Sequence, residues 1–393
     1  MRVTRRDLLT AAGGAAALAA ASRVLRAAVS AQAPQSTIAP GTEKLARLIR
    51  HSSRPPDYET PVALLDSWLT PADNLYVRSH LPMPTALNAA SWRLHIDGEV
   101  SSPAALSLDD IRRMPATTLT ATLECAGNGR GFFDPPVAGV QWRRGAVGTV
   151  RWTGVRMADL LKRAGLESSG RFVVMDGADL PPGTMPDFVR QIPMDKAMDP
   201  GTIVAYEMNG SPIPALHGYP LRAIVPGWEG AYWMKWLSSL RVLDREFDGF
   251  WVSTGYRYPV KRVAPGSTVA PADMAPLTGL AVKSLITQPL EGSTHAPGTI
   301  AIAGFAWAGE NDIARVDVST DQGTSWQPAS LTGEQAQYTW RRFELSFQAA
   351  RPESYLIMSR ATDTRGRRQP IVPPWNPSGY LWNAPDSVRI EVK

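Results

Sequence analysis

A chain of 393 residues is long enough for two or three domains with a sizeable core. Its 34 prolines, 32 glycines and 13 tryptophans argue against a helical bundle and for a loop-rich body containing strands. The net charge of +5 is concentrated in residues 1–33, where Arg2, Arg5, Arg6, Arg23 and Arg26 face Asp7 alone. The remainder is close to neutral, so charge indicates neither a nucleic-acid nor an acidic-membrane partner.

In chain order, the first expected element is an export signal. Thr4-Arg5-Arg6-Asp7-Leu8-Leu9 is a twin-arginine pattern, followed by an Ala/Gly-rich stretch to Ala21 and a small-residue cleavage site at Ala31-Gln32-Ala33. Residues 1–33 are therefore expected to be a twin-arginine signal peptide and the mature protein to be periplasmic. That route carries folded proteins, often with a cofactor already inserted, which points toward a cofactor enzyme. Beyond the signal no stretch approaches the ~18–20 uninterrupted apolar residues that span a bilayer, so no integral membrane segment is expected.

Residues 34–60 read as an extended, Pro-punctuated lead-in. Within 61–277, short apolar strands alternate with turns and a few helices. Ser107 is a candidate N-cap for a short helix through Ile111. Met157 to Gly165 has helical periodicity and a glycine stop, and Arg171 to Met175 reads as a buried strand. From 278 to 393 the pattern changes to alternating runs at 299–303, 314–319, 340–345, 355–358 and 388–392, with a turn signal at Asp321-Gln322-Gly323. Regularly spaced short strands predict an immunoglobulin-like β-sandwich, giving an α+β chain overall.

Four segments carry residues with chemistry in them. Cys125 is the only cysteine and lies in Cys125-Ala126-Gly127-Asn128-Gly129-Arg130. A thiolate suits a transition metal, and Arg130 supplies a planar fork for an oxyanion; a lone cysteine is also commonly a small buried hydrophobe. In Tyr76-Val77-Arg78-Ser79-His80, Arg78 and His80 alternate as on one side of an extended segment, which fits pinning a polyanion. His217, Arg222 and Lys235 converge on a Gly/Pro-rich stretch where backbone can approach a ligand closely. Tyr256 follows an aromatic run. Patterns for covalently attached haem, a nucleotide P-loop, paired zinc ligands or a nucleophile elbow are not found.

Taken together, Val77 to Pro82, Cys125 to Arg130, Ala205-Tyr206-Glu207-Met208-Asn209-Gly210 and His217 to Trp236 resemble the molybdopterin-dependent sulfite oxidase family. The C-terminal runs Ala314 to Ser319 and Gly323 to Trp326 resemble its dimerisation domain, and the likeness covers roughly residues 60–393. The resemblance implies a sulfite oxidase-type molybdopterin-binding domain followed by the sandwich, with one pterin; the missing Cys-x-x-Cys-His motif leads to the expectation of no haem in this chain. The resemblance also implies that Cys125 is the one protein ligand to molybdenum and that Arg78, Arg130 and Tyr256 line the substrate pocket. Tyr76, Val77, Arg78, Ser79, His80, Asp179, His217, Arg222, Trp233, Met234 and Lys235 fall where the family holds the pterin and its phosphate. The activity implied is oxidation of a small anionic sulfur substrate, sulfite first, by oxygen-atom transfer. Electrons would leave to an external carrier such as a c-type cytochrome, from a homodimer.

One departure stands out. Sulfite-active members carry a further substrate arginine in a segment like Trp375 to Asn383, where this chain has Ser378 and Trp382. Unless Arg365, Arg367 or Arg368 compensates, the departure favours a different oxyanion, sulfur compound or sulfoxide on the same cofactor. A reading from another class, a secreted binding protein without metal, predicts indifference to Cys125→Ser.

Overall fold

A computed structural model describes residues 43–393. The twin-arginine segment and the first part of the lead-in lie outside the described residues. The rest of the lead-in is not simply extended. A 3-10 turn at Glu43–Arg47 precedes a hairpin of β1 (Ile49–Ser53) and β2 (Pro56–Glu59). The cause is two carboxylates that the hairpin buries, Asp57 and Glu59. Each satisfies groups from elsewhere in the chain: Asp57 takes Arg78, and Glu59 accepts from the N–H groups of Arg143, Arg144 and Gly145.

Two five-stranded sheets follow. The first places β5 (Thr117–Glu124) beside β6 (Val147–Arg156), then β9 (Ile203–Met208), which also takes β10 (Ser211–Pro212) and β11 (Arg222–Ile224). The second runs β4 (Ala104–Ser107), β3 (Arg93–Gly98), β12 (Leu237–Leu243), β7 (Phe172–Gly177), β8 (Arg190–Pro193), with only β3 and β12 parallel. The expected capped helix is α1 (Leu108–Arg112): the Ser107 hydroxyl accepts from the Asp110 N–H, and the Asp110 carboxylate accepts from the Ser107 N–H. The expected helix at 157–165 is α2 (Met157–Arg163). It buries Met157, Ala158, Leu160 and Leu161, and Gly165 follows at φ +71°. Both sheets enclose one large core with Trp142, Trp152, Trp233 and Trp236 fully buried.

A two-stranded pair of β13 (Arg257–Pro259) and β14 (Met274–Pro276) precedes the C-terminal region, which is built of two further sheets. One orders β15 (Lys283–Gln288), β17 (Gly298–Trp307), β21 (Arg341–Ala349) and β20 (Ser330–Thr332). The other orders β16 (Thr294–His295), β23 (Asp386–Val392), β22 (Ser354–Asp363), β18 (Ile313–Ser319) and β19 (Gln327–Pro328). Every strand expected from alternation there is present. Inward residues such as Ile302, Val316, Phe343, Ile357 and Ile390 form a separate core. A third cluster, in which Phe305 stacks on Trp340 at 4.2 Å, contains Leu65 and Val147 together with Leu285 and Trp307, and so joins the two regions.

Candidate functional site

Strand β5 ends with four buried residues, and Cys125 follows it directly. The loop is held by its own backbone: the Cys125 N–H donates to Ala146 O at 2.9 Å, and the Asn128 N–H donates to Cys125 O at 2.8 Å. Glycine is required in this loop. Gly129 sits at φ +94° under the Trp382 ring, and a Cβ on Gly127 would lie 2.6 Å from the Arg130 guanidinium.

Cys125 opens onto a partly enclosed cavity. Tyr76, Arg78, Ser79, His80, Asp179, His217, Arg222, Trp233, Met234, Lys235 and Tyr256 line it too, drawn from six separate stretches of sequence. Two expected residues are not on its wall. Val77 points the other way, into a cluster with Leu48, Tyr58 and Leu216, and its N–H and C=O both pair with Tyr58. It alternates with Tyr76 and Arg78, so turning them inward turns Val77 out. Arg130 packs behind the Cys125 loop: Nη1 donates to Val140 O at 3.1 Å, Nη2 to Ser378 O at 3.4 Å, and the guanidinium lies 5.2 Å from the Tyr380 ring centre.

The electrostatics divide the cavity into two parts. Near Cys125, burial pushes the thiol up, and the Arg78 guanidinium, the Gly127 N–H and Arg130 oppose that rise. Arg78 Nη1 donates to Asp57 at 3.0 Å. Tyr256, at φ +53°, shares a 2.6 Å hydrogen bond with His80 Nε2. His80 stacks on Phe188 at 3.7 Å, and burial among Arg78 and Lys235 holds its imidazole neutral, well below the ordinary value. Burial raises the Tyr256 phenol, with Tyr380 stacked on it at 5.4 Å.

The second part is a nest of cations. His217 Nε2 lies 2.5 Å from Lys44 Nζ, Arg222 Nη1 donates to His217 O at 2.9 Å, and Lys235 donates to Ser79 Oγ at 2.6 Å. Burial brings Lys44 and Lys235 each down to about 7 and Arg222 to about 10, and it depresses His217 well below 6.5. Arg222 Nε has no partner. Among the described residues, Asp179 is the one carboxylate on the cavity wall, and burial raises it to about 6. Such a cluster is costly unless an anion completes it.

Residues 80–251 match the oxidoreductase molybdopterin binding domain, and residues 275–393 match the Mo-co oxidoreductase dimerisation domain. Mitochondrial sulfite oxidase of Rattus norvegicus is 37% identical over 87% of this chain and 65% of its own length. Sulfite oxidase of Gallus gallus is 35% identical over 85% of this chain and 76% of that protein. The chain belongs to the sulfite oxidase family. In structure it is similar to the sulfane dehydrogenase SoxCD from Paracoccus pantotrophus, with a TM-score of 0.76 and 30% identity over 87% of this chain and 88% of that one. The chain spans 65% of the length of the mammalian relatives it matches.

The residues present fit the cofactor of this sulfite oxidase family domain, molybdenum on a pterin. Among the described residues, no group of three or more His, Cys, Asp or Glu side chains is placed to hold a metal ion. A single thiol suffices only for a metal that arrives with ligands of its own, and the cation nest has the charge for its phosphate. For this family the C-terminal departure is also visible. Ser378 donates to Arg257 O at 2.8 Å, and Trp382 rests against Phe132 and Phe133. Arg365, Arg367 and Arg368 are exposed, Arg367 pairs with Asp363, and none lines the cavity.

A buried cation beside Tyr256 that the sequence reading did not single out is Arg190, which lines a neighbouring pocket with Tyr232 and Tyr256 and not the Cys125 cavity. Its guanidinium carbon lies 4.4 Å from the Tyr232 ring centre and 4.8 Å from that of Tyr256. Lys44, Asp57 and Phe188 were missed for the same reason. Each comes from a segment without a motif and is brought in only by packing.

Proposed function

We propose that this chain is a molybdenum-pterin oxidoreductase that oxidises sulfite to sulfate. The observation that carries the reading is the sole cysteine facing a cavity in which Arg222 and Lys235, among the described residues, make no hydrogen bond to a carboxylate. Cys125 holds the metal. His217, Arg222, Lys235 and Ser79 hold the phosphate, with Lys44 behind His217, while Tyr76, Asp179, Trp233 and Met234 enclose the pterin. The bound cofactor supplies oxygen-atom transfer to sulfur and takes up two electrons. Arg78 neutralises the anionic substrate at the cavity wall, and Arg130 adds positive potential from behind the loop. Tyr256 keeps its proton and, bonded to neutral His80, presents a hydroxyl to the substrate side.

Around this core we place a twin-arginine signal at 1–33, a periplasmic address, catalytic residues 61–277 and an immunoglobulin-like dimerisation region at 278–393. A separate c-type cytochrome accepts the electrons one at a time, because a chain with one cysteine has no site for covalent haem. Among the described residues, no helix is long and apolar enough to cross a membrane. A second reading, a sulfane or other sulfur compound as substrate, is supported by Ser378 and Trp382 in place of a cation, by the aromatic wall of Phe188, Tyr256 and Tyr380, and by the likeness to the sulfane dehydrogenase.

The test is molybdenum content of the matured protein together with anaerobic reduction by sulfite. Metal present and rapidly reduced supports sulfite; metal present and unresponsive moves the substrate to the second reading. Absence of molybdenum from matured protein overturns both. Cys125→Ser is expected to abolish turnover with the circular dichroism spectrum unchanged, and full activity in that variant overturns the ligand assignment.

A further inference from the structure

We infer that Lys283 and Trp307, two residues of the C-terminal sandwich, are positioning residues for the Cys125 loop, so that this region completes the cofactor site as well as any dimer. The inference rests on the reading of Cys125 as the metal ligand. Lys283 opens β15 and Trp307 closes β17, and the two face each other as a cross-strand pair. Together they deliver two donors to one carboxylate, that of Glu124, which is 2% exposed and immediately precedes Cys125. Lys283 Nζ donates to Glu124 Oε1 at 2.6 Å, and Trp307 Nε1 donates to Oε2 at 2.8 Å.

The network continues into the loop itself. Lys283 Nζ also donates to Asn128 O at 2.9 Å, and Asn128 Nδ2 donates to Glu124 Oε1 at 2.9 Å. Asn128 Oδ1 accepts from the Ala146 N–H at 3.1 Å, and Ala146 O accepts from the Cys125 N–H. Both flanks of Cys125 are thereby tied to one ammonium that belongs to another part of the fold. Buried ion pairs contribute little net stability compared with apolar packing, and their best-attested use is to fix one arrangement among several. Here the arrangement is that of the thiol opposite Arg78. The indole of Trp307 also sits in the apolar cluster that joins the two regions, which leaves its N–H no freedom to turn away.

Because Cys125 is the sole cysteine, a thiol reagent reports on this loop alone. The experiment compares wild type, Lys283→Met and Lys283→Arg for molybdenum per chain and for kcat and KM. The rate at which a maleimide labels Cys125 is measured in protein made without the pterin. In Lys283→Met, molybdenum per chain is expected to fall and labelling to accelerate by about tenfold, the change that ~1.4 kcal/mol in loop opening produces. In any loaded fraction kcat should fall with KM little changed, and Lys283→Arg should recover both readouts.

A folded Lys283→Met protein that keeps its metal and labels within about twofold of wild type overturns the inference. If Lys283→Met does not fold, Trp307→Phe decides by the same two measurements, since it keeps an apolar aromatic ring in the cluster and removes the Nε1 donor. Wild-type protein without molybdenum sinks the proposed function, and the labelling comparison still judges the tie between Lys283 and the loop.

Discussion

At the scale of single residues, the site is a collection of charges that the chain by itself leaves unbalanced. Lys44 and Lys235 are each lowered from 10.5 to about 7, chiefly by burial, with Arg222 the next cause for Lys235. Above pH 10.5 neither the folded nor the unfolded chain holds these protons, so no penalty exists there. Between 10.5 and about 7 the unfolded chain binds more protons, and stability is lost as pH falls through that window. The melting temperature of cofactor-free protein is therefore expected to rise from pH 7 toward pH 10. Inorganic pyrophosphate, a stand-in for the phosphate of the cofactor, should flatten part of the rise by holding Lys235, the lysine on the cavity wall, protonated. A pyrophosphate-independent slope would remove Lys235 from the phosphate site. The alternation of Arg78 and His80 was legible in the sequence, and so was the isolation of Cys125. The charge of Lys44 beside His217 was not, since 173 residues separate them.

At the scale of elements, β6 is the strand that fixes where β5 ends and hence where Cys125 stands. It pairs with β5 from Thr117↔Gly154 to Glu124↔Val147 and with β9 on its other side, where the register shifts between Thr153 and Gly154. A Cβ at Gly154 would lie 2.1 Å from Val204 O. Gly154→Val is expected to cost about 1–3 kcal/mol by forcing β6 and β9 apart, read as a lower urea midpoint, and to reduce molybdenum content along with it. An unchanged midpoint would mean that the sheet relaxes there without cost. Strands β21, β22 and β23 were legible because a buried face alternates with a more open one, which writes period two into the residues, whereas β15, β17 and β18 bury both faces over part of their length. The β1–β2 hairpin was not, because two of its three buried positions are Asp57 and Glu59, polar residues whose burial makes sense only beside Arg78 and the 143–145 backbone.

At the scale of the molecule, the match of residues 275–393 to a dimerisation domain supports a homodimer in solution. Light scattering at micromolar concentration is expected to return twice the mass of one chain, and a monomer there would count against it. The tie from Lys283 and Trp307 to Glu124 gives the same region a task within one chain. Interrupting the dimer and interrupting that tie should therefore have separable effects.

What the residues by themselves determined was local or compositional: the cysteine in its Gly-rich loop, the capped helix at Ser107, the sandwich strands, and the cation-bearing segments that mark the family. These are properties of neighbours a few positions apart, where spacing along the chain and spacing in the fold are nearly the same thing. Tertiary structure alone decided which cations meet. It turned Val77 out of the cavity and Arg130 behind the loop. It left Arg365, Arg367 and Arg368 at the surface, set Arg190 against Tyr256, and brought Lys283 across from another sheet to Glu124. Those outcomes depend on long-range packing, in which burial makes each charge find whatever partner the whole fold places within reach.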